Sequence, residues 1–268
     1  MKGRKDSFFL VALYLLGIVL LCWTLLVFFY QYFAVIGKSH AVFDGLRSGR
    51  ILSALWLSIS TACVTAIVSI LFGVPLAYVF ATGNFRGKGI LETLTIDIPQ
   101  TFPPVAVGII FLNMLGPSSP FHINLAYTYE ALVLSQIFVS APFVIAFATR
   151  QFREIRESGL DMIARTLGAS NFKIFWTIFL PLALKDIIAG ASLCWARAMG
   201  ELGGSLLFAG VVPFKTEVIP TFIAQNSFNT AAALAATILA TTASIIALLS
   251  FKAIMSGRGA WKGLFYKI

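Results

Sequence analysis

Few side chains in this chain of 268 residues could do covalent chemistry. Cys22, Cys63 and Cys194 each lie inside an apolar run with no CxxC spacing, a setting for small core hydrophobes rather than disulfide or metal ligands. His40 and His122 stand in predicted loops with no third ligand beside either, so no metal site is expected. There is no HExxH, no Ser/His pair on facing spans and no carboxylate cluster. Residues 83–89, GNFRGKG, hold Gly and Lys without the G-x4-GK[ST] spacing or a βα context, so no phosphate loop forms there. They read as a turn carrying positive charge. The remaining pair is Arg197 and Glu201, four residues apart within an apolar run and therefore on one helix face. Charges at membrane depth are costly, pair with one another and mark pathways. The pair is either self-satisfied, fixing the rotation of its helix, or part of a pore or dimer interface. Beside it, Gly200, Gly203, Gly204 and Ser205 thin the helix surface and permit close packing or bending. No enzyme is expected.

The elements that must position these residues are membrane helices. The chain is 59% hydrophobic and 12% charged, with a mean hydropathy of +0.89, where soluble domains carry about 25% charged residues. Its 25 Phe suit lipid-facing surfaces. A hydrocarbon core of ~30 Å needs ~20 apolar residues as helix. Six segments are expected to span: Phe8 to Ile36, Ile51 to Thr82, about Phe102 to Leu115, about Ala131 to Thr149, about Leu182 to Val211 and about Ala231 to Met255. The third is short and begins at Pro103-Pro104. The second and fifth are long enough to tilt or to project. Met1 to Ser7 is basic and precedes a run too long for a signal-peptide core, so it reads as a retained first span. No linker divides the chain. Residues 1–50 read as an appended helix plus an external loop, 51–255 as the core with a cytoplasmic segment at 150–181, and 256–268 as a cytoplasmic tail.

The net charge of +9 would raise nucleic acid as a partner in a soluble protein, but the basic residues are scattered at helix ends, which excludes that reading here. With the N-terminus inside, only Lys38, Arg47, Arg50 and Lys215 fall outside, Arg197 falls within a span, and every other Lys and Arg is cytoplasmic. The positive-inside rule therefore favours both termini in the cytoplasm and places residues 150–181 there too.

That segment contains DMIARTLGASNFKIFWTIFLP, residues 161–181. Asp161 to Leu167 can form one or two helical turns. Gly168 can end them in the left-handed cap conformation. Ser170 or Asn171 can cap a second helix over Phe172 to Phe179, whose Phe172, Phe175, Trp176 and Phe179 have the spacing of an apolar face. Pro181 is expected to mark the break before the fifth span. The result is a helix-turn-helix lying along the membrane surface.

Gly168, followed ten positions later by Ile178 and then by Leu180-Pro181, resembles the cytoplasmic "EAA" loop of permease subunits in binding-protein-dependent ABC importers. The family's Glu-Ala-Ala falls on Met162, Ile163 and Ala164, so only the last Ala matches, and Asp161 stands one residue early. DIPQTFPPVAVGI (97–109), ARTLGAS in the loop and WARAMGELG (195–203) resemble the molybdate/tungstate permease group, with sulfate permeases next nearest. The likeness covers about residues 51–255. It implies an all-α polytopic protein of the cell membrane with six transmembrane helices in the type I ABC importer permease fold.

It also implies a homodimer of permeases, two ATP-binding cassette subunits that carry ATP and Mg, and an extracellular or periplasmic oxyanion-binding protein. This chain would bind no cofactor itself. Asp161, Ala164, Arg165, Thr166, Leu167, Gly168, Ala169 and Ser170 would form the ATPase-coupling loop. Thr101, Pro103, Pro104, Gly204 and Ser205 would lie near the pore or its gate, along a path lined by the third and fifth spans. Polar side chains such as Thr101 and Ser205, with helix N-termini, could offer an oxyanion hydrogen bonds without tight binding. The competing readings are a sulfate or thiosulfate permease and a six-span ion channel. The channel would need a filter-like loop or a ring of charges, and residues 116–130 hold one carboxylate, Glu130.

Overall fold

The computed structural model describes residues 2–36 and 39–256, and these are helical with no strand among them. Long apolar runs become helix because no backbone N–H or C=O can be left unpaired in lipid. In chain order the helices are α1 (Lys2–Phe33), α2 (Ser39–Leu46), α3 (Gly49–Thr82), α4 (Lys88–Thr101), α5 (Pro104–Leu115), α6 (Tyr129–Glu157), α7 (Leu160–Thr166), α8 (Asn171–Met199), α9 (Gly203–Leu207), α10 (Ile219–Gln225) and α11 (Thr230–Ser256). The tail after Ser256 lies outside the described residues.

Among the described residues five helices are long and apolar enough to cross a membrane, and a sixth crossing results if α4 and α5 count as one span bent by 114°. The 12 residues of α5 rise only ~18 Å, less than a hydrocarbon core of ~30 Å.

Helices α3, α6 and α8 form the packed centre. Thr65 donates to the Gln136 amide, which in turn donates to Thr61, and Tyr78 meets Phe152 further along, so α3 and α6 run parallel. Helix α8 runs against them, with Phe179 beside Phe152 and Gly190 against the Phe143 carbonyl. Small residues such as Ala62, Ala77, Ala148, Ala183 and Ala191 line the contact and bring the backbones close, the packing that membrane helices favour. At the cytoplasmic end Tyr78, Phe152, Phe175 and Phe179 close the core edge to face. In contrast, α1 is apolar and exposed along its described side chains; it meets α11 where Thr241 donates to Gln31.

Three expectations are corrected. The fourth span does not end at Thr149: α6 continues to Glu157, where Arg156 caps α3 by donating to the Ala81 and Thr82 carbonyls. The fifth span does not run to Val211: α8 ends at Met199, and the chain turns at Gly200 before α9. Pro181 does not break the chain, since α8 is continuous from Asn171 to Met199.

The proline is accommodated by a π-type turn over Phe175–Phe179, in which the Leu180 N–H reaches back five residues to Phe175. Helix α4 repeats the device over Thr93–Asp97, with the Ile98 N–H on the Thr93 carbonyl just before Pro99. The sequences correspond, Thr95-Ile96-Asp97-Ile98-Pro99 and Thr177-Ile178-Phe179-Leu180-Pro181. A wider turn relaxes the site where proline lacks a donor and crowds the preceding turn.

Candidate functional site

The cytoplasmic loop is built from two left-handed glycines. Gly159 (φ 76°) turns the chain out of α6 and Gly168 (φ 82°) ends α7. The Gly168 N–H bonds to the Arg165 carbonyl at 2.9 Å and the Ala169 N–H to Ala164 at 3.0 Å, the double bonding pattern of a Schellman cap. Ala164 and Ala169 both rest on the central core, which supplies the apolar contact of that cap. The Ser170 hydroxyl then accepts from the Lys173 N–H at the start of α8. Thr166 bonds back to the Ile163 carbonyl. Arg165 lies 3.8 Å from Asp161 and also donates to Asn171, so the Asp161 carboxylate is held within the loop.

The outer face is apolar: Leu167 is 82% exposed and Phe172 75%, with Met162 and Ile163 also exposed. Helix α7 therefore projects as a greasy knob, tied on one side to α6 and on the other to α8.

The charged pair lies at the turn that ends α8. Arg197 donates to Glu201 at 3.1 Å, and the other oxygen of Glu201 accepts from the Gly204 N–H at 3.0 Å. Glu201 is fully buried, while the Arg197 side chain remains 35% exposed. The carboxylate thus caps α9, and the pair presents its cation outward.

The five pore candidates form two groups. Pro103, Pro104 and Thr101 are exposed at the bend between α4 and α5, and Thr101 donates to the Ile98 carbonyl. Gly204 and Ser205 are buried in α9, and among the described residues no partner stands within hydrogen-bonding distance of the Ser205 hydroxyl. The groups meet through glycine. A β-carbon on Gly203 would overlap the Pro104 carbonyl, one on Gly204 would overlap the Ser135 side chain, and one on Gly108 would lie 2.5 Å from the Gly203 carbonyl. Phe111 stacks on Phe208 at 5.6 Å. Helices α5 and α9 therefore form one packed unit.

Two charged contacts escaped the sequence reading. On the external side, Arg50 at the start of α3 forms a two-pronged bond with Glu217, both prongs at 2.7 Å, and its guanidinium lies over Phe222. At the cytoplasmic end Arg153 of α6 pairs with Glu92 of α4. The partners are 167 and 61 residues apart, so no local spacing could reveal them. Among the described residues no group of three or more His, Cys, Asp or Glu could hold a metal.

A family profile described as "Binding-protein-dependent transport system inner membrane component" matches residues 69–258. The molybdate/tungstate transport system permease protein of Pyrococcus abyssi is 40% identical over 159 residues, 59% of this chain and 61% of that protein. The chain thus spans about three fifths of the length of such archaeal relatives. The molybdenum transport system permease protein of Haemophilus influenzae is 33% identical over 185 residues, covering 79% of its length and 66% of this chain. A chloroplastic sulfate permease of Chlamydomonas reinhardtii is 32% identical over 200 residues, 70% of this chain and 53% of that protein. Among solved structures, a bacterial alginate ABC transporter in complex with its alginate-bound periplasmic protein has a chain that superposes with a TM-score of 0.65 at 18% identity, covering 89% of this chain and 91% of that one. The MetNI methionine ABC transporter gives 0.61 at 16% identity, with 76% and 94% covered.

Proposed function

We propose, from the premise that this chain belongs to the family of binding-protein-dependent transport system inner membrane components and has the type I ABC importer permease fold, that it imports an oxyanion of the molybdate/tungstate class. The chain is a multi-pass protein of the cytoplasmic membrane. Two copies form the path, an external binding protein delivers the anion, and two ATP-binding subunits that carry ATP and Mg supply the work.

One observation carries the coupling part of the reading: the knob built from α7 and the Gly168 cap presents apolar side chains at the charged, cytoplasmic end of the molecule, while the anion class is supported by the likeness to molybdate/tungstate permeases. A rigid projection is what a separate motor needs to grip. Its displacement would pass into α6 and α8, which bind to α3 as one body. From the end of α8 it would pass through the Glu201 cap to α9, and through the Gly203–Pro104 contact to the bend at α4 and α5. ATP binding would draw the two loops together and open the path outward; hydrolysis would reset it. The oxyanion would meet the exposed face of Arg197, the N-terminus of α5 and few strong ligands, as passage requires binding that is easily released.

Uptake into proteoliposomes carrying the two subunits and the binding protein tests the reading, with molybdate, tungstate, sulfate and phosphate compared. ATP-dependent uptake of molybdate or tungstate is expected. Sulfate uptake alone would favour the sulfate-permease reading, to which the Chlamydomonas relative lends support. Transport of an amino acid or sugar without any oxyanion refutes the class.

A further inference from the structure

Helices α4 and α6 diverge at the cytoplasmic end around a cleft of ≈ 590 Å³. Phe102 packs on Phe138 while Arg153 holds Glu92, so α4 runs against α6 and Asp97 comes opposite the stretch from Ala146 to Arg150. Four carboxylates and two guanidiniums line the space. Arg153 pairs with Glu92 and Arg150 with Glu154, which leaves Asp97 and Glu157 with no ion-pair partner among the described residues. Thr149 also lines the cleft; it is 3% exposed, and its hydroxyl finds no hydrogen-bond partner. Buried hydroxyls are nearly always partnered, so an orphan that lines the same cleft as unpaired carboxylates marks a place for a donor.

We propose that this cleft is a second contact for the ATP-binding subunit and receives a basic segment of it. One cation sits between Asp97 and Thr149, and another meets Glu157 at the mouth. Thr149 and Glu157 are eight residues apart on one helix, ~12 Å along its axis, so the segment presents two cationic side chains at that separation. The excess of carboxylates selects a cation and repels anionic headgroups. Glu157 precedes α7 by three residues, so a subunit that grips the knob covers the mouth of the cleft. The inference rests on the coupling reading, but it assigns the reverse fit: there the permease enters the ATPase, here the ATPase enters the permease.

The test compares the full chain with its Asp97→Asn/Glu157→Gln variant in nanodiscs, titrated with the ATP-binding subunit. Both side chains are exposed, so the fold should survive, and an Asp97→Glu/Glu157→Asp control keeps the charge. At least about a tenfold loss of affinity is expected for the neutral variant and little change for the control. Zero-length carbodiimide coupling should join Glu157 or Asp97 to a lysine of the ATPase. Equal affinity of wild type and neutral variant overturns the cleft assignment while leaving the knob intact. Cross-links running only to the second permease copy also overturn it. An ATPase that binds neither protein contradicts the coupling reading itself.

Discussion

Arg197 and Glu201 form a charged pair with a structural role, and on the proposed function Arg197 would also face the passing anion. Glu201 is buried and fully engaged, by Arg197 on one oxygen and the Gly204 N–H on the other. Removing Arg197 alone would leave an uncompensated buried carboxylate, a change that costs about 3–5 kcal/mol and would confuse misfolding with lost transport. The double variant Arg197→Gln/Glu201→Gln avoids this, because a glutamine carbonyl can still accept from Gly204. It should insert and assemble normally yet import its anion about tenfold more slowly, the effect of ~1.4 kcal/mol in a barrier. Initial uptake rates at matched protein levels would check this; an unchanged rate would confine the pair to a structural role. At the external end, Arg50→Ala should lower stability by about 3–5 kcal/mol, since Glu217, 1% exposed, is left as a buried carboxylate without its partner. Thermal unfolding in detergent reads this directly. Gly203→Val should also unfold the α5–α9 contact, because its side chain would occupy the place of the Pro104 carbonyl.

At the scale of elements, the loop's spacing has a physical explanation. Ala164, Gly168 and Ala169 are three positions of one helix cap: the two alanines rest on the core and the glycine takes a conformation that costs other residues about 1–2 kcal/mol. Nothing lies within 4 Å of a β-carbon at Gly168, so Gly168→Ala strains the turn without a clash. It should lower coupled uptake severalfold while leaving membrane insertion intact, as measured by uptake against protein in the membrane fraction.

The cap was legible in the sequence because its determinants are local: a helical run, a glycine and Ser170 in order. The apolar runs were equally legible, since hydropathy reads directly as span. The bend of 114° between α4 and α5, the end of α8 at Met199 and the continuity of α8 through Pro181 were not. Each depends on packing or on a π-type turn, and a proline alone suggests a stop. The third segment looked short because α4, the other arm of the bent pair, is too polar to register as membrane helix. Arg50–Glu217 and Arg153–Glu92 escaped because ion pairs across a fold leave no spacing to read. Of the pore candidates, Pro103-Pro104 and Gly204-Ser205 were visible as local composition, whereas the contact of the neighbouring Gly203 with Pro104 is a tertiary fact.

For the whole molecule, the organisation is that of a rigid bundle with levers. On the proposed function, helices α3, α6 and α8 would form the fulcrum, the α7 knob would take the force, and the α5–α9 unit would deliver it where α4 and α5 bend. The exposed apolar surface of α1 lies outside this machine, and its place is lipid or another subunit. The account stands or falls on whether work enters at Gly168. Proteoliposomes holding the permease, its ATPase and the loaded binding protein should show ATP turnover that rises when substrate is presented. The account predicts that Gly168→Asp leaves the protein inserted and abolishes that rise together with uptake. Normal substrate-stimulated turnover in the Gly168→Asp protein would contradict it.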